Sequence, residues 1–222
     1  MIVEEYIRED GSNPFGSWFS DLDPQAAAKV ATATLRLEMG NTSNVKWIGG
    51  GLGEFRIDWG PGYRLYLAQD GDALIILFVG GTKKRQRPTS IGRVRCWQNT
   101  RPGKPPRSDR AGDDDMELTR DFKETMKERA ARDPAFAKAM LDEAATLFLN
   151  GEPHTARLIL RDLVNASVGF ETLAVETNKP SKSLHRMLSE KGNPSMDNLA
   201  AIFSAVRKRL GVDFQAHVVE AA

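Results

Sequence analysis

The chain contains little cysteine and histidine and no long apolar run, and each of these absences narrows its possible functions. Its one cysteine, Cys96, excludes an internal disulfide and a cysteine-rich metal site. The longest apolar run, residues 73–79, has the length of a strand and is too short to cross a bilayer. The first residues lack the basic and then apolar layout of a secretory signal. We therefore expect a cytoplasmic protein with no membrane association, no metal site and no organic cofactor.

The chain also lacks a large excess of positive or negative charge, although its charged residues are unevenly distributed along the sequence. The formal net charge is +1. Residues 1–86 carry 9 Lys and Arg against 11 Asp and Glu, residues 87–115 carry 7 against 4, and residues 116–222 carry 15 against 15. Neither end of the chain is basic as a whole, so any affinity for nucleic acid must come from local patches of cations.

The middle of the chain separates two parts with different sequence patterns. Met116 follows a stretch rich in Pro, Gly, Arg and Asp over residues 101–115, and a new amphipathic helical pattern starts directly after it. The length also suits two small domains. We interpret residues 1–87 and 116–222 as two domains and residues 88–115 as a linker, which its composition predicts to be largely disordered.

The N-terminal part has the pattern of an α+β domain. Ile2–Tyr6 has the pattern of a strand, apolar residues with helical spacing start at Phe15, and Asp23-Pro24 starts a second helix that ends before Gly40. Three further strands are predicted over residues 53–59, 63–69 and 72–79. The expected order is β-α-α-β-β-β, an antiparallel meander packed against two helices.

Two segments of this part resemble a superfamily of toxins. They are Phe55-Arg-Ile-Asp-Trp-Gly-Pro-Gly-Tyr-Arg-Leu-Tyr66 and Leu77-Phe-Val-Gly-Gly-Thr-Lys-Lys-Arg-Gln86. Both are similar to the RelE/ParE superfamily, and most of all to its HigB-like addiction-module killer toxins, over residues 1–87. The resemblance implies a RelE-like domain that cuts mRNA on the ribosome. Some relatives in the superfamily poison gyrase instead, which leaves a gyrase-directed ParE-like toxin as the alternative.

RNA cleavage by a ribose 2′-hydroxyl needs a base, an acid and charge stabilisation around the phosphorus. All three histidines lie at position 154 or later, which excludes a histidine-based ribonuclease here. Arg56, Arg64 and Tyr66 alternate along neighbouring strands and are predicted to share one sheet face. The candidate catalytic residues are Lys46, Arg56, Arg64, Tyr66, Lys83 and Lys84. The alternative is that they are ordinary surface cations, with Arg56 paired to Asp58 or Glu54.

The sequence departs from the toxin pattern after residue 86. Toxins of this group continue into a basic C-terminal helix, whereas this chain continues with Pro and Gly and has no helical period. Permitted codons read from the third base of the Pro88 codon encode an amphipathic basic helix. We hypothesise that a single-base slip removed the last toxin helix and its stop codon, which weakens or abolishes activity. A natural insert or an engineered linker is the alternative, and the nucleotide sequence decides between them.

The C-terminal part has the pattern of an all-α domain. Apolar residues recur with helical spacing in segments that start at Glu117, Pro134, Pro153, Phe170, Ser181 and Leu199. A short helix, a tight turn and a second helix within this series form a helix-turn-helix pattern. The stretch that contains Leu188-Ser-Glu-Lys-Gly-Asn-Pro-Ser195 resembles the Cro/repressor-type motif of HigA-like antitoxins, and the resemblance spans about residues 116–215.

This second resemblance implies a recognition helix over residues 181–190 that reads operator DNA, in a protein that acts as a homodimer. The residues of the motif that would face the major groove or the phosphates are Ser181, Lys182, Ser183, His185 and Arg186. Arg186 is suited to read guanine, and Lys182 is suited to contact a phosphate. The alternative for His185 is an ordinary, partly exposed helix residue.

We therefore interpret the chain as a type II toxin and its antitoxin fused in one polypeptide, with the toxin first. The toxin part is a ribosome-dependent mRNA interferase, neutralised or inactivated, which meets the ribosome and mRNA if it is active. The antitoxin part binds DNA and represses its own operon, and the toxin–antitoxin contact is made in cis or in trans. The alternative is a transcriptional regulator whose vestigial toxin domain serves only for interaction.

Overall fold

The computed structural model describes residues 1–8, 10–49, 51–70, 74–82, 119–218 and 220. Within these ranges the chain forms six strands and eight helices. Their contacts divide the chain into two units, which comprise Met1–Leu22 with Lys29–Thr125, and Asp23–Ala28 with Met126–Ala222. The predicted linker, residues 88–115, lies outside the described residues.

The first unit is built on a mixed sheet with the strand order β2-β3-β4-β5-β1-β6. The strands are β1 (Ile2–Tyr6), β2 (Val45–Gly49), β3 (Leu52–Ile57), β4 (Tyr63–Asp70), β5 (Leu74–Thr82) and β6 (Thr119–Asp121). β1 runs parallel to β5, and the other neighbouring pairs are antiparallel. Two helices, α1 (Pro14–Asp21) and α2 (Pro24–Glu38), lie between β1 and β2 in the chain.

Helix α1 begins at a side-chain cap and packs on one face of the sheet. The Asn13 side chain accepts a hydrogen bond from the Gly16 amide at 2.7 Å, and Pro14 occupies the first helical position. The Trp18 ring lies against Gly80 of β5, where an added Cβ would be only 2.0 Å from the ring. Gly80 is paired with Leu65, which is fully buried, so the main core of this unit lies on the α1 side of the sheet.

The second unit contains the remaining helices, of which α3 starts in the first unit. They are α3 (Phe122–Arg132), α4 (Pro134–Leu149), α5 (Pro153–Ala166), α6 (Phe170–Thr177), α7 (Ser181–Met187) and α8 (Met196–Leu210). The side chain of Asp133 caps α4 by accepting from two amides of its first turn, each at 3.1 Å. Apolar side chains from the successive helices α4 to α8 form the core, among them Phe136, Met140, Ile159, Leu163, Leu173, Leu184, Leu188, Ile202 and Val206.

The predicted fold class was wrong. We expected an α+β, RelE-like β-α-α-β-β-β antiparallel meander followed by an all-α C-terminal domain with a Cro/repressor-type helix-turn-helix. The structure is instead an α/β fold with a six-stranded mixed sheet. The C-terminal half is not all-α because its residues 119–121, predicted as helix, form strand β6 on the edge of β1. The sheet is not a simple meander because β1 inserts beside β5 in parallel.

Strand β2 was missed because its side chains are exposed from Lys46 onward, so it lacks the apolar alternation that indicates a strand. Strand β6 has only three residues, which is too few to show any period. Within the ranges that the structure describes, no helix combines the length and apolar character needed to span a bilayer.

Candidate functional site

The predicted catalytic residues within the described ranges lie on β2, β3 and β4. Arg56 of β3 is directly opposite Arg64 of β4, while Glu54 is opposite both Tyr66 on β4 and Lys46 on β2. Residues directly opposite each other in a sheet point to the same face. The register therefore brings Lys46, Arg56, Arg64 and Tyr66 onto one face, which is opposite to the face covered by α1. Lys83 and Lys84, the other two candidates, lie outside the described residues.

Glu54 lies at the centre of this cluster, although the sequence suggested it only as an alternative partner of Arg56. Its carboxylate accepts a hydrogen bond from Nε of Arg56 at 2.8 Å and another from Nη1 of Arg64. The Glu54 side chain is 9% exposed, against 45% for Arg56 and 19% for Arg64. The carboxylate therefore lies beneath the two guanidinium groups and orients both of them.

The charge balance of this cluster is positive. Two arginines on one carboxylate leave one positive charge, and Lys46 on the neighbouring strand adds a second. Like charges directly opposite each other destabilise an antiparallel pair, so Glu54 is what allows Arg56 to face Arg64. A planar guanidinium held in place and half exposed is suited to bind a phosphate through two hydrogen bonds.

Tyr66 packs rather than reaching into solvent. It is nearly buried and forms a small apolar cluster with Leu52, Ala68 and Phe78. Leu52, Tyr66 and Ala68 lie on β3 and β4, the strands of the arginine pair, and Phe78 lies on β5. The structure thus gives Tyr66 a packing role, and its place among the catalytic residues stays a prediction.

The second candidate site is the helix pair α6–α7. Helix α6 ends at Asn178, which has a left-handed backbone with φ of 51°, and α7 begins three residues later. Asn tolerates this conformation better than most residues with a side chain, which explains the tight reversal. Leu173 of α6 and Leu184 of α7 are fully buried and pack the two helices into the core of the second unit.

All five predicted DNA-binding residues lie on α7. Lys182, His185 and Arg186 are exposed, and their spacing of three and four residues places them on one side of the helix. Ser181 is partly buried and donates a hydrogen bond to Glu171 of α6 at 2.8 Å. Ser183, also partly buried, lies one residue from buried Leu184.

His185 is held in place by an aromatic contact. Its ring stacks on the buried ring of Phe170, with centroids 3.6 Å apart and planes at 17°. This stacking places the imidazole against α6 while the side chain of His185 stays exposed, and both the DNA contact and the alternative of an ordinary helix residue stay predictions. Lys182 and Arg186 on the same side complete a cationic surface that is held on a rigid helix pair.

Similarity to a known protein covers part of the chain. The chain is 42% identical over 73 residues to a protein from Haemophilus influenzae (strain ATCC 51907 / DSM 11121 / KW20 / Rd) that is described as uncharacterized. The matched residues make up 32% of this chain and 74% of the relative. The chain belongs to the family of this Haemophilus influenzae protein. No family model and no solved structure matches the chain.

Helix α7 is shorter than the recognition helix that the sequence predicted over residues 181–190. It ends at Met187 rather than at residue 190, and a tight turn follows. An added Cβ at Gly192 would lie 2.2 Å from the Met187 carbonyl oxygen, so only glycine fits there. Arg157 of α5 donates to the Glu190 carbonyl at 3.4 Å, and its partial burial lowers the pKa of its guanidinium. Sequence analysis did not identify Arg157, because a single arginine within an amphipathic helix gives no signal of a long-range contact.

Among the residues that the structure describes, no group of three or more His, Cys, Asp and Glu side chains is placed to hold a metal ion. Both candidate sites of this family member consist of cations on rigid elements, one on a sheet face and one on a short helix. Cations in such arrangements are suited to contact phosphate groups.

Proposed function

We propose that the chain is a toxin–antitoxin fusion whose C-terminal part binds operator DNA and represses its own operon. The observation that carries the proposal is the helix pair α6–α7, whose second helix presents Lys182, His185 and Arg186 on one exposed side. A helix of this kind fits the major groove, and the first helix of the pair, α6, packs behind it. The resemblance to HigA-like antitoxins supports the same function.

Each exposed side chain of α7 has a distinct proposed role at the DNA. Arg186 reads a guanine through two hydrogen bonds, and Lys182 contacts a phosphate. His185, fixed by the ring of Phe170, reaches a base edge or the backbone at a constant position. Ser183 lies in the first turn of α7, where its hydroxyl can donate to a phosphate, whereas the hydroxyl of Ser181 already donates to Glu171 and orients the helix. A homodimer then reads two half-sites about one helical turn apart, roughly 34 Å.

The test is binding of the purified full chain to DNA from its own upstream region, measured by fluorescence anisotropy against unrelated DNA. We expect Arg186→Ala to weaken specific binding about 10- to 100-fold, the effect of losing a bidentate base contact of about 1–3 kcal/mol. Lys182→Ala should weaken binding to both DNAs and reduce the salt slope by about one unit. Lys138→Ala, which changes an exposed lysine of α4, is the control. Equal affinity of the wild type for both DNAs would contradict the proposal.

A second function is proposed for the sheet face of the first unit, where Lys46, Arg56 and Arg64 surround Glu54. We propose that this cluster holds an RNA phosphate on the ribosome and stabilises the charge that develops during cleavage. The proposed activity is neutralised by the rest of the chain, or it was lost through the single-base slip hypothesised from the sequence. DNA and ribosomes as partners place the protein in the cytoplasm.

Cleavage of ribosome-bound mRNA tests this second function. The full chain would be assayed intact and after a site-specific protease has cut it at a recognition sequence inserted after residue 103. We expect cleavage only after the two fragments of the cut chain have been separated from each other, and we expect Arg56→Ala and Arg64→Ala to abolish it. No cleavage from any form would favour the vestigial toxin domain, and inhibition of gyrase by the cut chain would favour the ParE-like alternative.

A further inference from the structure

A short segment that follows the predicted linker is part of the sheet of the first unit. Strand β6 pairs antiparallel with β1, so that Thr119 lies opposite Tyr6 and Arg120 lies opposite Glu5. The other edge of β1 is already paired with β5. Strand β6 therefore covers an edge that would otherwise present unpaired backbone amide and carbonyl groups.

The next residue, Phe122, anchors the segment in an aromatic site. Its side chain is 2% exposed, and its ring makes edge-to-face contacts with Phe15 and Phe19 of α1. The ring centroids are 5.6 and 5.1 Å apart, and the planes meet at 80° and 81°. Such contacts add specificity to the burial of apolar surface, because they require the rings to meet in a particular orientation.

Two polar contacts are made by residues that directly follow this anchor. The hydroxyl of Thr125 donates to the carboxylate of Glu5 at 2.8 Å, and the same fully buried carboxylate accepts from the Asn13 side chain. The ammonium group of Lys123 pairs with Glu38 at the end of α2. A buried carboxylate that loses a hydrogen bond is costly, so the Thr125 hydroxyl makes the fit selective.

We propose that the edge of β1 and the ring pair Phe15–Phe19 form a recognition site for residues 119–125, which hold the two parts of the chain together without a covalent connection. Addition of a strand supplies affinity through backbone hydrogen bonds, and the anchoring side chains supply specificity. Residues 119–125 then form the toxin–antitoxin contact, and this role rests on the proposed function. Docking of this segment in cis then explains how a fused chain keeps its toxin part bound.

The experiment uses the full chain with the protease recognition sequence after residue 103. After complete cutting, association of the two fragments is measured by size-exclusion chromatography over a dilution series. Residues Asp23–Ala28 also belong to the second unit, so the variants decide the question rather than association alone. We expect the wild-type fragments to stay together, and Phe122→Ala and Arg120→Pro to weaken the association at least tenfold. Proline removes an amide donor and interrupts the added strand.

Matched variants keep the test independent of folding defects. Asp142→Ala changes an exposed residue of α4 outside residues 119–125 and should leave the association unchanged. Thr125→Val should weaken it while Thr125→Ser, which retains the hydroxyl, restores it. Separation of the wild-type fragments, or equal association of Phe122→Ala, Arg120→Pro and wild type, would overturn the proposal. No DNA or RNA is present, so this failure is distinct from a failure of operator binding or RNA cleavage.

Discussion

At the scale of single residues, Glu54 determines whether two like charges can face each other on β3 and β4. Replacing it by Gln leaves Arg56 opposite Arg64 with no anion between them. We expect Glu54→Gln to destabilise the first unit by about 1–2 kcal/mol, below the value for a buried charged pair because Arg56 is half exposed. Urea unfolding, followed by tryptophan fluorescence, measures this loss of stability in the first unit, since all four tryptophans precede residue 98. Asp58→Asn is the exposed control, and an equal effect of the two changes would contradict the role of Glu54.

Two adjacent glycines of β5 allow a second test at the same scale. An added Cβ at Gly80 would lie 2.0 Å from the Trp18 ring, whereas one at Gly81 meets no atom within 4 Å. We expect Gly80→Ala to cost about 1–3 kcal/mol of stability because the ring must move. Gly81→Ala should be neutral or stabilising by up to about 1 kcal/mol, since alanine restricts the unfolded chain. The same unfolding assay compares the two variants, and similar midpoints would show that Trp18 adapts without strain.

At the scale of elements, the α6–α7 turn should control DNA binding through the backbone of one residue. Asn178 has φ of 51°, and a β-branched residue there costs roughly 1–2 kcal/mol. We expect Asn178→Val to weaken operator binding and lower the stability of the second unit, while Asn178→Gly retains both. Anisotropy and thermal unfolding by circular dichroism measure the two effects. Full affinity in Asn178→Val would mean that α7 is not held by this turn.

Elements that carry their own end signals could be predicted from the sequence. Helix α4 begins at the predicted pair Asp133-Pro134, and β1 has the predicted bounds, since caps and apolar alternation are local features. The parallel pairing of β1 with β5 could not be predicted because it depends on tertiary packing between distant segments. β6 gave no signal either, because its formation depends on the edge of β1 rather than on its own three residues.

The candidate sites also contain features that could be predicted from the sequence and features that could not. Alternation along β3 and β4, together with the short connection between them, predicted that Arg56 and Arg64 share one face, because the connection of a hairpin fixes its register. The central position of Glu54 needed the register of three strands, which the sequence does not contain. The stacking of His185 on Phe170 could not be predicted from the sequence either, since it depends on the angle between α6 and α7.

At the scale of the whole molecule, the proposed repressor requires two copies of the chain on one operator. A single α7 presents two exposed cations and one exposed histidine, and these contact too few bases to select one site in a genome. We expect two chains to bind a palindromic site with half-sites about 10 base pairs apart, and a single half-site to bind at least 100-fold more weakly. Analytical ultracentrifugation of the full chain with each DNA measures stoichiometry and affinity together.

Insertion of about five base pairs between the half-sites rotates one of them to the opposite side of the duplex and should abolish the tight complex. One chain per palindrome, or indifference to the inserted spacing, would show that the protein binds DNA as a monomer and would remove the symmetric operator from the proposal.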